Sequence, residues 1–222
     1  MVFDILKDVV GGNLDLKEGL CTLVVMLAAL LISLSAHELC HGLGALLMGD
    51  KTPRYDGRLS LNPLHHIDPI GTLCLLFFGF GWAKPVMVNP RNFKNAKLGM
   101  AITALFGPLC NWILGFVATL CYGYFYFNHS DLIYMVLFFE LLLSFNIGLM
   151  IFNLIPIPPL DGSKILGAIL PGRWYYQLLR FERYGFIILI LLINLPFFDR
   201  ILDWAWNLVF SGYLSVVNII LL

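Results

Sequence analysis

The sequence predicts an all-α polytopic membrane protein with about five transmembrane helices, a re-entrant segment and a small surface hairpin. Three observations carry that expectation. Of 222 residues, 59% are hydrophobic and 13% charged, and the mean hydropathy is +0.84, unlike the mixture found in ordinary soluble domains. Apolar runs near the length that crosses a bilayer, about 20 residues for roughly 30 Å of hydrocarbon, recur along the chain. The charges are few, sum to zero and lie unevenly along the chain, so the positive-inside rule can orient it. This pattern gives no sign of a nucleic-acid partner; the partner it implies is the lipid bilayer.

Residues 1 to 16 carry Asp4, Lys7, Asp8 and Asp15 and lack the basic start and short apolar core of a signal peptide. The first span, Leu20 to Met48, is too long to be one and is expected to stay in the mature protein. Turn residues and short alternation in "DKTPRYDGRLSLNP", between Gly49 and Asp68, suggest a hairpin at the membrane surface. Ile70 to Trp82 is apolar but only 13 residues long and rich in glycine, which places it among re-entrant segments. Further spans are expected at Leu98 to Phe127, Leu132 to Ile155, about Tyr184 to Phe198, and Ile201 to Leu222. With no internal repeat and no separate soluble unit, residues 1–222 read as a single membrane-embedded domain. Its core covers about 20–170, with C-terminal spans at 184–222. Cys21, Cys40, Cys74, Cys110 and Cys121 form no CxxC pair and read as small packing residues.

"SAHELCHGLGALL", from Ser35 to Leu47, places two histidines and a glutamate inside the first span. In a helix turning about 100° per residue, His37 and His41 share one face and Glu38 lies about 80° from their midpoint. This is the H-E-x-x-H arrangement of zinc hydrolases, in which two imidazoles hold the metal and the carboxylate takes a proton from the attacking water. Ionisable groups inside a membrane cost about 2.5 to 3.5 kcal/mol each and are functional by default. A hydrolytic zinc site has three protein ligands, and Asp161 is the best candidate for the third. It sits in "NLIPIPPLDGSKI", where Pro156, Pro158 and Pro159 break the helix at the end of a span. Non-helical backbone is tolerated at membrane depth only when buried in protein or lining a cavity.

HELCH in the first span, "GPLCN" at 107 to 111 and "NLIPIPPLDG" at 153 to 162 together resemble the site-2 protease family of intramembrane zinc metalloproteases, peptidase family M50. "FGWAKPVMVNPRNFKN" at 80 to 95 looks like its short bacterial and archaeal members. The resemblance implies one Zn²⁺ per chain held by His37, His41 and Asp161, and Glu38 as general base. It also implies that Asn111 and Asn153 polarise the substrate or support the ligand loop. The substrate would be a transmembrane protein or peptide, cleaved in or near its membrane segment. Relative to longer members, no PDZ domain and no span ahead of the HELCH helix are expected.

If Ile70 to Trp82 is re-entrant, the "PPLDG" loop emerges on the same side as the histidines. The face holding residues 49 to 97 and 157 to 183 then collects 11 of the 14 Lys and Arg, which makes it cytoplasmic. The site is therefore expected near the cytoplasmic face of a bacterial or archaeal cell membrane. Cys40 lies on the side of the pair opposite Glu38 and is read as packing. His65 and His66, beside Asp68, offer a second metal site in principle, but adjacent residues rarely chelate together. Glu140 either lines a water path or reaches the interface. A membrane zinc transporter, or a non-catalytic member of the family, is the alternative function. The first predicts paired broken helices, which are not found; the intact Glu38 speaks against the second.

Overall fold

The computed structural model describes residues 2–78 and 84–221, and among these every regular element is helical. In chain order they are α1 (Val2–Val10), α2 (Leu16–Leu47), α3 (Thr52–Tyr55), α4 (Pro69–Phe78), α5 (Ala96–Asn128), α6 (Ile133–Leu154), α7 (Asp161–Ile169), α8 (Gly172–Ile193) and α9 (Pro196–Leu221). Short 3-10 turns lie at Pro63–His65 and Pro90–Asn92.

Among the described residues, three helices are long and apolar enough to cross a membrane: α2 with 32 residues, α5 with 33 and α6 with 22. Their ends follow from local chemistry. Asp15 and Glu18 close a capping box at the start of α2, where the Asp15 side chain accepts from the Lys17 N–H and Glu18 accepts from the Asp15 N–H. At its other end Gly49 takes φ +104, a left-handed conformation that costs a residue with a Cβ. Gly49 N–H then bonds the Leu46 carbonyl and Asp50 N–H the Ala45 carbonyl, which closes the helix as a Schellman turn. Asn95 caps α5 by accepting from the Leu98 N–H. Pro156 lies just beyond the end of α6, where the chain no longer offers a donor to continue it.

The three spans pack on one another through small residues. Ala29, Ser33, Ala36 and Ala45 of α2 are buried, as are Ala101, Ala104 and Ala118 of α5, so the backbones approach closely. Leu142, Leu143 and Ile147 of α6 complete the core with Tyr213 of α9, whose hydroxyl donates to the Trp112 carbonyl at 2.6 Å. The outer faces stay apolar; Leu20, Val24, Ile32 and Leu43 of α2 are exposed, as lipid-facing positions should be.

The expected fourth and fifth spans fall on α8 and α9, which meet at an 87° bend at the Asn194–Leu195 break ahead of Pro196; among the described residues there are three candidate spans, or four if the bent pair is one. Arg173, Arg180, Glu182 and Arg183 keep α8 from reading as a clean span, whereas in α9 the charges Asp199, Arg200 and Asp203 fall in the first eight residues and the polar Asn207 and Asn218 dilute the apolar run that follows. The segment expected as a hairpin holds the one-turn helix α3 and the 3-10 turn instead of paired strands. Pro53 and Pro63 start these turns and supply no N–H to a ladder. Of the segment expected to be re-entrant, residues 79–82 lie outside the described residues. The ten residues of α4 cover about 15 Å, half a bilayer core.

Candidate active site

His37 and His41 stand one turn apart on the inner face of α2, both buried. Their Nε2 atoms are 2.9 Å apart. Asp161, the first residue of α7, brings its Oδ2 to 3.3 Å from His37 Nε2 and 3.0 Å from His41 Nε2. It reaches them because the chain cannot stay helical after α6. The prolines turn it, and Leu160 N–H bonds the Ile157 carbonyl before α7 begins. Gly162 allows this fold-back, since a Cβ there would collide with the carbonyls of Leu154 and Ile155.

Each imidazole is committed at its other nitrogen. His41 Nδ1 donates to the Thr103 carbonyl at 2.8 Å, and His37 Nδ1 donates to Asn111 Oδ1 at 2.5 Å. The polarity of the second contact follows from the network behind it. Leu142 offers only a carbonyl, so Asn146 must present its Nδ2 there, and the same Nδ2 donates to Ser33 Oγ. Asn146 Oδ1 therefore accepts from Asn111 Nδ2 at 2.6 Å, which turns Asn111 Oδ1 toward the histidine. With both Nδ1 atoms protonated, both Nε2 atoms offer lone pairs to the same point as the Asp161 carboxylate. Three such atoms so close repel one another unless a proton or a metal ion lies among them.

Among the described residues, His37, His41 and Asp161 are the group able to hold a metal ion. Two imidazole nitrogens and one carboxylate oxygen are a zinc donor set that leaves a fourth position open. Ligands at about 2.0–2.1 Å in tetrahedral array stand roughly 3.3 Å apart, and the separations of 2.9 to 3.3 Å come close to this. The other Asp161 oxygen, Oδ1, pairs with Lys164 Nζ at 3.2 Å. The ammonium beside Oδ1 offsets part of the cost of burying the Asp161 carboxylate. Gly107 leaves room for the rings: a Cβ there would lie 2.5 Å from His41 Nε2 and 2.7 Å from His37 Cε1.

Glu38, half-buried beside the pair, accepts the Val86 N–H at 3.0 Å through Oε2. Asn111 is fully buried against His37 rather than open to a substrate. Asn153 turns its amide to the Leu149 carbonyl one turn earlier on α6. His65 and His66 do not converge, since His65 Nδ1 pairs with the Gly57 carbonyl and His66 Nε2 with that of Ser60. Asp68 accepts the Gly71 N–H at the start of α4. Cys40 is partly buried and stands outside the converging group, and Glu140 is exposed on the outside of α6. The sequence did not single out Asn146 as a support of the site or Thr103 as an acceptor. A polar amide inside an apolar span was the available signal for the first; the second acts through a backbone carbonyl, which residue type does not reveal.

The model of "Peptidase family M50" matches residues 128–193, from the end of α5 through the Asp161 turn to the end of α8. Over 204 residues the chain is 34% identical to "Putative zinc metalloprotease YwhC" of Bacillus subtilis (strain 168), covering 87% of this chain and 90% of that one. The chain belongs to peptidase family M50. A second relative, "Putative zinc metalloprotease Rip2" of Mycolicibacterium smegmatis, is 26% identical over 193 residues, covering 84% of this chain and 72% of its own. No solved structure gives a significant match. The alignment with the first relative extends far beyond the family-model match, so the M50 likeness is a property of most of the chain.

Proposed function

We propose that this chain is an intramembrane zinc metalloprotease that hydrolyses peptide bonds in or near transmembrane segments of membrane proteins. The observation that carries the reading is the convergence of His37 Nε2, His41 Nε2 and Asp161 Oδ2 between membrane helices. In this reading those three residues hold one Zn²⁺ per chain. When bound, the ion supplies a Lewis acid that lowers the pKa of a coordinated water toward about 7. The Asn111 amide and the Thr103 carbonyl fix the orientation and tautomer of the two rings, and Lys164 keeps Asp161 turned so that one oxygen faces them. Glu38 accepts the proton of the attacking water and returns it to the leaving nitrogen. Asn153 supports the ligand turn from the end of α6.

A substrate helix satisfies its own amides and must unwind to be cut. The segment Lys84–Asn89, without regular structure, passes Glu38; its N–H groups at Lys84, Val86 and Asn89 are already bonded, so in this reading an unwound peptide pairs with the backbone at Met87 and Val88. Five spans, with α8 and α9 crossing separately, and a site near the cytoplasmic face of a bacterial or archaeal membrane complete the proposal. The charge distribution supports that orientation, and residues 1–222 act as one domain. The test is metal analysis with cleavage of a single-span substrate in detergent, before and after chelation. Cleavage that disappears with the metal and returns with Zn²⁺ supports the reading; cleavage that persists in the metal-free protein sinks it.

A further inference from the structure

Asp50 is completely buried at the end of α2, and its carboxylate carries four hydrogen bonds. Two are local: Thr52 N–H and Thr52 Oγ1 donate to Oδ1 at 3.0 and 2.6 Å, an Asx-type turn that needs nothing further. The other two come from about forty residues away. Asn89 N–H donates to Oδ2 at 2.7 Å, and Asn92 Nδ2 donates to Oδ1 at 2.6 Å. They tie down one end of the segment Lys84–Asn92. Its other end is tied by Lys84 N–H to the His66 carbonyl at 2.8 Å. Between the two anchors the Val86 N–H holds Glu38 Oε2, and the Val86 side chain is buried beside Gly42 of α2.

We propose that Asp50 is a positioning residue for Glu38, acting through the anchored segment Lys84–Asn92 to hold the Val86 amide against the carboxylate. The proposal rests on the reading of Glu38 as the proton acceptor. A glutamate on a helix rotates about three torsions, and a proton acceptor works only within hydrogen-bond reach of the proton it takes. One fixed N–H removes most of that freedom. The bond from Val86 uses one carboxylate oxygen and leaves the other to the reaction. Because the segment is anchored on both sides of Val86, releasing Asn89 and Asn92 lets the amide drift, and Glu38 drifts with it.

The test uses the full chain in detergent, with steady-state kinetics on a single-span substrate and zinc content for each variant. Asp50→Ala is expected to lower kcat about 10- to 100-fold, the effect of a misplacement near 1 Å, with zinc content unchanged and KM held within about twofold. The exchange Asp50→Asn with Asn92→Asp should recover most of kcat. With its new NH2 turned toward residue 92, the amide at position 50 reverses the 50–92 hydrogen bond and keeps its oxygen for the Asn89 N–H; only the local Thr52 N–H loses its acceptor. Val86→Pro removes the donor itself and should lower kcat to a similar degree, which keeps the proposal testable if Asp50→Ala does not fold. Unchanged kcat in Val86→Pro, a rise in KM alone in Asp50→Ala, or loss of zinc in step with activity in both variants overturns it. Glu38→Gln serves as the control. If that variant still cleaves, the reading of Glu38 has failed and the positioning role falls with it; if it is inactive while Asp50→Ala is fully active, only the positioning role fails.

Discussion

Asn111 and Gly107 set the two rings of the site from the same helix by opposite means, one by a contact and one by an absence. Asn111→Ala leaves His37 Nδ1 without its acceptor in a buried position. The expected result is a 10- to 100-fold weaker metal affinity, about the usual effect of losing such an orienting partner, measured by titration with a competing chelator. Gly107→Ala places a methyl among the imidazoles. Overpacking of this kind costs about 1–3 kcal/mol, so zinc content and thermal stability should fall together. A zinc-replete, fully stable Gly107→Ala protein would contradict the packing described for the site. At this scale the pair His37 and His41 was legible because an i, i+4 relation is local. The role of Asn111 was not. It depends on a chain of amides that joins residues 35 to 113 positions apart across three helices, and only the packed bundle brings these together.

The end of α2 couples helix capping to the segment that passes Glu38. Burial alone would raise the Asp50 carboxyl, but the hydrogen bonds from Thr52, Asn89 and Asn92 outweigh it and hold it below the ordinary value. A depressed folded-state pKa gives stability that is fully present above the unfolded value of about 3.9 and is lost as pH falls through the lower folded value. Melting temperature in detergent should therefore drop on acidification below about pH 4, and the drop should be shallower in Asp50→Asn. An identical acid limb in the two proteins would remove the carboxylate from that role. Gly49→Ala, at φ +104, should cost about 1–2 kcal/mol of stability. The Pro-broken turn that delivers Asp161 could be read from the sequence because proline acts on its own neighbourhood. The helical turns that replace the expected hairpin could not. Short alternation is compatible with either, and what decides between them is Pro53 and Pro63 at the starts of the turns, which supply no N–H to a ladder.

For the whole molecule, composition made an all-helical membrane protein legible, because hydrocarbon admits few other spanning structures. The number of spans was less legible, since α8 and α9 mix charges with apolar runs and bend at Pro196. The contact between Lys84 N–H and the His66 carbonyl brings the two ends of the α4 segment together. Ser60→Cys and Lys94→Cys, introduced singly in a cysteine-free background, should therefore react with an impermeant thiol reagent from the same side of the membrane. Labelling from opposite sides would mean that the segment crosses.

The most direct measurement pairs zinc content with cleavage of a single-span substrate for the wild-type chain and Glu38→Gln. Intramembrane hydrolysis with Glu38 as proton acceptor predicts that both proteins carry zinc and that the substitution lowers cleavage by about 10²- to 10⁴-fold. Cleavage by Glu38→Gln at the wild-type rate, with zinc bound, would contradict it.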